Sequence, residues 1–169
     1  MSISLYDFSV PALTLALTNM SNELDKAGAY AERKKFDTKA LADARLIADM
    51  LPFTRQVQIA CDNAKGAVAR LAGIESPKHE DNEATFAELK ARVAKTLDFI
   101  KTVKREQFVG AETREVVLQF PSLTLKFTGQ DYLTKFALPN FYFHATMVYA
   151  LLRQNGVELG KGDFLGAIQ

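Results

Sequence analysis

Apolar positions recur with two different periods along this chain, and the switch between them marks its organisation. Leu13, Leu17, Met20, Leu24 and Ala27 return every three or four residues, which is one face of an α-helix. Ser9 ahead of Pro11 predicts where that helix starts, and Gly28 with the run Glu32-Arg33-Lys34-Lys35 predicts its fraying, solvated end. Asp37-Thr38 suits the cap of a short helix over residues 39–44. Pro52 then opens a second long stripe, Phe53, Val57, Cys61, Ala64, Val68 and Leu71, closed by Gly73. Residues 74–84 read as a loop, and Thr85-x-x-Glu88 forms a capping box before a third stripe of Phe86, Leu89, Val93, Leu97 and Ile100.

From Glu115 the period falls to two. Val116, Leu118 and Phe120, then Leu123, Leu125 and Phe127 beyond Pro121-Ser122, predict a β-hairpin. An isolated hairpin is marginal in water, so its apolar face must lie on the helices or on a partner. Residues 131–138 read as a short helical connector. A fourth long helix runs from Pro139 to Asn155-Gly156. Phe141, His144, Val148 and Leu151 share one of its faces, and Tyr142, Thr146, Tyr149 and Arg153 form another. A helix apolar nearly all round is central in a fold or covered by a second subunit. The tail after Gly156 reads as irregular, pinned by Phe164 and Leu165. Its glycines, Gly156, Gly160, Gly162 and Gly166, open no helix and make no phosphate-cradling loop.

The 169 residues suffice for one domain, 1–169, with a sizeable core. A formal net charge of +1 gives no electrostatic case for nucleic acid or an anionic membrane surface. Residues 1–10 lack the basic start and long apolar stretch of a signal peptide. The most apolar run, residues 136–152, is interrupted by Pro139, Asn140 and His144 and does not read as a membrane span. A single cysteine allows no internal disulfide, and the whole fits a reduced cytoplasm.

Candidate chemistry is sparse, and no complete catalytic motif is present. His144 reads either as a ligand or base lining a pocket, or as a neutral core histidine satisfied by a neighbour; lone histidines on apolar faces favour the second. Its helical neighbours Asn140, Met147 and Val148 supply no strong metal donor. Cys61 lies on an apolar face and reads as an inert buried thiol. His79, beside Glu80, Asp81 and Glu83, reads as part of a solvated acidic turn favouring the next helix N-terminus rather than as a loose metal site.

Three local patterns carry a family resemblance: Arg45-Leu46-x-x-Asp49-Met50-x-Pro52, the run Phe136-Ala137-Leu138-Pro139-Asn140-Phe141-Tyr142-Phe143-His144, and Gly160-Lys161-x-Asp163-Phe164-Leu165-Gly166. With the four helices and the hairpin, they resemble an uncharacterised bacterial family, a domain of unknown function, within the DinB/YfiT-like putative metalloenzyme superfamily. The resemblance implies a mainly all-α fold, an up-down-down-up four-helix bundle with a small hairpin between helices three and four, often a homodimer. It also implies a divalent metal held by one histidine of helix two and an H-x-x-x-H pair of helix four; some relatives are thiol transferases. Here His144 matches the first histidine of the pair, Val148 stands at the second, and helix two has no histidine. Gln58 and Asp62 are its nearest polar substitutes. Only His144 and Asp62 remain as metal candidates, a weak set for zinc or nickel.

The expectation is a homodimeric bundle with a small-molecule pocket formed by His144, Asn140, Gln58 and Asp62, and no assigned catalytic residue. The alternative is a divalent-metal enzyme of transferase or hydrolase type with non-standard ligands. A structural or partner-binding role is the third.

Overall fold

The computed structural model describes residues 4–166. The first helix, α1, spans Leu5–Lys34, longer at both ends than its apolar stripe. Its start lies at Ser4 rather than Ser9, because Asp7 reaches back and accepts the Ser4 backbone N–H at 2.9 Å. Arg105 closes on the same carboxylate at 2.6 Å, and this bond holds Asp7 well below the ordinary carboxylate range. Ser9 lies inside the helix, its hydroxyl donating to the Leu5 carbonyl at 2.6 Å. Gly28 does not end the helix, which stops where Lys35 turns left-handed at φ 59°; the charged run there is exposed, as its composition suggests.

A short α2 (Lys39–Ala42) precedes α3 (Phe53–Ala72), which Gly73 ends at φ 69°. Thr85 caps α4 (Phe86–Thr102) by accepting the Glu88 N–H at 3.2 Å. Strands β1 (Glu115–Phe120) and β2 (Leu123–Thr128) pair antiparallel, Glu115 opposite Thr128 and Phe120 opposite Leu123, around Pro121-Ser122. Val116 and Leu118 at the base of β1 are buried against the helices. Leu125 and Phe127 are half-buried against the core, and only the tip residues Phe120 and Leu123 are exposed.

A one-turn α5 (Gly129–Tyr132) follows directly. Gly129 is obligatory there, since a Cβ would stand 1.9 Å from the Ala111 carbonyl oxygen. The connector is a π-helical turn, Leu133–Ala137, leading without a break into α6 (Leu138–Gln154). Pro139 has no N–H for the carbonyl of Lys135, and just before it the Leu138 N–H bonds the Leu133 carbonyl five residues back. The tail is not irregular throughout. Gly160 opens a five-residue helix α7 (Lys161–Leu165), its N–H donating to Asp163 at 2.8 Å. Phe164 pins it, edge-on to Tyr149 with ring centres 5.9 Å apart, whereas Leu165 is exposed.

Side-chain contacts set the helix directions. Phe53 and Phe86, each opening its helix, stack with centroids 5.4 Å apart, so α3 and α4 run parallel. Asp7 near the start of α1 meets Arg105 just past α4, and Asp25 late in α1 meets Lys90 early in α4, so that pair is antiparallel. Gln56 contacts His144 while Asn63, further along α3, contacts Asn140, earlier on α6, which makes α3 and α6 antiparallel. The order is up-down-down-up. A parallel α3–α4 pair needs a crossover, and residues 73–85 supply it. The core draws on all four long helices, with Leu17, Leu24, Val57, Leu71, Leu89, Val93, Phe141 and Val148 almost wholly buried.

Candidate functional site

α3 carries two polar stripes among its apolar positions, and each meets a different neighbour. Gln56, Asn63 and Arg70 recur every seven residues, as seam positions of packed helices do, and face α6 and the α5 turn ahead of it. They pair in turn with His144 (Nδ1 to Oε1, 2.7 Å), Asn140 (Nδ2 to Oδ1, 3.0 Å) and Tyr132 (3.1 Å). The small residues Ala60, Ala64 and Ala67 of α3 are almost wholly buried.

The first rung has a determined chemistry. The Gln56 amide donates from Nε2 to the Leu51 carbonyl at 3.0 Å, and a carbonyl can only accept. That fixes which end of the amide faces His144: it is the oxygen, also an acceptor only. His144 therefore carries its proton on Nδ1, and Nε2 holds an unshared electron pair. Nε2 has no hydrogen-bond partner among the described residues. Burial lowers the pKa of His144, so the ring is neutral at pH 7. It is 9% exposed, with the Phe143 ring edge-on at 5.1 Å. Phe143, beside His144 on α6, and Leu46, Ile47 and Leu51, on the segment leading into α3, are exposed, and so are Arg45 and Asp49 on that segment.

The second stripe, Arg55, Gln58, Asp62 and Lys65, faces α4 and the 73–85 crossover. Its centre is Arg92 of α4, which is 1% exposed. Arg92 donates to Asp62 (2.8 Å), both oxygens of Glu83 (3.1 Å each) and the Glu80 carbonyl (2.9 Å), and pairs with Asp81 (2.9 Å). Arg55 bonds Asp81 and Gln58, and Gln58 passes its other end to Glu83 at 2.8 Å. The acidic turn is therefore not simply solvated. Asp81 and Glu83 fold inward because a buried guanidinium must be surrounded by acceptors. Burial pushes the pKa of Asp81 up, but Arg55 and Arg92 outweigh it and leave the carboxyl below its usual range. Arg92 has no signal in the apolar periodicity; its position between Leu89 and Val93, on the inner face of α4, was the available clue.

Hydrogen bonding thus divides the four sequence-derived pocket residues two and two. His144 and Asn140 belong to the seam; Gln58 and Asp62 belong to the Arg92 cluster. The helix-two partner of His144 is Gln56, not Gln58. Cys61 is wholly buried, and desolvation pushes its thiol up to about 12, an inert group at neutral pH.

The donor set does not fit the three-histidine metal of the resembled superfamily. Gln56 offers an amide oxygen already engaged by His144, Val148 occupies the place one turn along, and Asp62 is spent on Arg92 and Lys65. Among the described residues no three His, Cys, Asp or Glu side chains gather in a metal-binding group.

Helix order, the hairpin before the last helix and a histidine on that helix's inner face define a DinB-like four-helix bundle. The chain belongs to the family described as a domain of unknown function (DUF1993), whose model matches residues 5–165. It is similar to the crystal structure of a DinB family member protein from Shewanella denitrificans, with 44% identity and a TM-score of 0.89 over 97% of this chain and 93% of that one. No curated protein matches it. No helix among the described residues is long and apolar enough to cross a membrane.

Proposed function

We propose that this protein binds a small molecule at the α3–α6 seam, with His144 Nε2 accepting a hydrogen bond from an N–H or O–H of the ligand, and that it works as a homodimer. The observation that carries the reading is the relay from the Leu51 carbonyl through Gln56 to His144, which orients a neutral imidazole and leaves one lone pair for a ligand. Convergent polar groups within an apolar rim are the usual make-up of small-molecule sites. Leu46, Ile47, Leu51 and Phe143 are exposed in one chain, and a second copy packed on them would bury that apolar surface. The fold by itself selects no reaction, and this reading assigns none.

The alternative, a divalent-metal enzyme with non-standard ligands, draws on the same relay, because metal-bound imidazoles are held by a bond to their other nitrogen. The test combines light scattering with a metabolite screen by thermal shift, on wild type and His144→Ala. A dimer, and at least one compound that raises the melting temperature of wild type but not of His144→Ala, support the proposal. A monomer at tens of micromolar, or ligands indifferent to His144, would sink it. A near-stoichiometric metal in protein purified without chelators would favour the enzyme reading.

A further inference from the structure

Glu23 is the least expected side chain in the core. It sits on α1 at 2% exposure, between Met20 and Leu24, and its Oε1 is buried with no hydrogen-bond partner among the described residues. Over it lies α7, held to α1 by few bonds. Asn19 donates to the Phe164 carbonyl at 3.0 Å, and Lys26 pairs with Asp163 at 2.6 Å. Asp163 also accepts the Gly160 N–H, and the bond from Lys26 keeps its carboxyl below the usual range, so it is ionised. Among the described residues no cation pairs with Glu23. Lys26 is committed to Asp163, and Lys90 of α4 to Asp25. Arg55, Asp62, Lys65 and Arg70 of α3 are paired with Asp81, Arg92, one another and Tyr132. α6 brings Tyr149, packed on Phe164, and the exposed Arg153, and α7 itself carries Lys161, also exposed. Among the described residues the one charge that acts on Glu23 is the like charge of Asp163.

We propose that α7 is a proton-gated clasp, docked on α1 most firmly when Glu23 carries a proton and loosened when Glu23 ionises. Ionisation places a second negative charge, without a donor, beneath a helix already presenting Asp163. Undocking relieves both the desolvation and the repulsion. The protonated form suits the site as it stands, and burial with the Asp163 charge pushes the Glu23 pKa up to about 8. The direction follows from linkage. Docked Glu23 holds its proton up to about pH 8, while undocked Glu23 returns towards its ordinary 4.5. The undocking equilibrium therefore rises about tenfold per pH unit between these values and levels off above the upper one.

Hydrogen exchange read by mass spectrometry tests this on the whole chain. The reporters are the Asp163 and Gly166 amides, which bond the Gly160 and Gly162 carbonyls in the docked helix. After division by the intrinsic exchange rate, wild-type protection of this segment is expected to fall about tenfold per unit from pH 5.5 to 8 and then to flatten. Amides in the middle of α3 should hold theirs. Glu23→Gln keeps the side chain's shape and removes the charge, so its protection should not vary over the same range. The proposal is overturned by wild-type protection that does not change with pH, by the same slope in Glu23→Gln, or by an α7 without measurable protection at pH 5.5.

Discussion

Replacing Arg92 by methionine keeps most of the buried stem and removes the charge on which Asp62, Asp81 and Glu83 converge. Breaking a buried ion network by deleting one partner costs roughly 3–5 kcal/mol, mostly because the remaining charges are stranded. The structure argues for the lower end of that range. Only the Glu83 side chain is nearly buried, at 11% exposure, whereas Asp62 and Asp81, at 39% and 37%, can regain water. A loss of about 3 kcal/mol is therefore expected in urea denaturation followed by circular dichroism at pH 7. The damage should begin locally. Residues 75–83 show no backbone–backbone hydrogen bonds, and the crossover rests on side chains reaching Arg55, Gln58 and Arg92. Limited trypsin digestion should therefore cut the variant at Lys78 while wild type survives. Adding Glu83→Gln should recover part of the loss by removing the most buried stranded charge. A stability change below about 1 kcal/mol, with Lys78 still protected, would refute the idea that this one guanidinium holds the crossover in place.

Gln56→Leu should cost about 1–3 kcal/mol in the same denaturation assay, because the Leu51 carbonyl and His144 lose their partner together. Cys61 should not react with a thiol reagent at pH 8 in native protein and should react fully once urea unfolds it; native labelling within minutes would contradict its burial. Gly129→Ala should destabilise by about 3 kcal/mol or prevent folding, since its Cβ would collide with the Ala111 carbonyl rather than with a movable side chain. Folded His144 has a depressed pKa, so the stability it contributes is complete above the unfolded value of 6.5 and declines as pH falls below it. The His144→Phe variant should lack that part of the acid-side decline.

Periodicity made the four long helices and both strands legible, because burial of one face is what the period records. It failed at α1's start, where Ser4 and Asp7 cap the chain outside the apolar stripe. It failed again at α7, where no repeat exists in five residues and the helix is held by Lys26 and Asn19, far away in the chain. The π turn before Pro139 was invisible for a similar reason, since one added residue leaves no mark on a pattern of apolar positions. At the site, His144 was legible from its place on a buried face. Its partner was not: Gln56 and Gln58 both stand on α3 two residues apart, and only the seam geometry shows which one faces α6. Arg92 and Glu23 escaped notice because charged residues are read as surface by default.

Gln56 fixes the tautomer of His144 and leaves Nε2 as an acceptor. A long-range proton–nitrogen correlation spectrum at pH 7 tests it directly, with only two histidines to assign and His144→Phe to identify the signal. The expected spectrum shows a protonated, pyrrole-like Nδ1 and an unprotonated, pyridine-like Nε2. The reverse tautomer, or a doubly protonated ring at that pH, would contradict it.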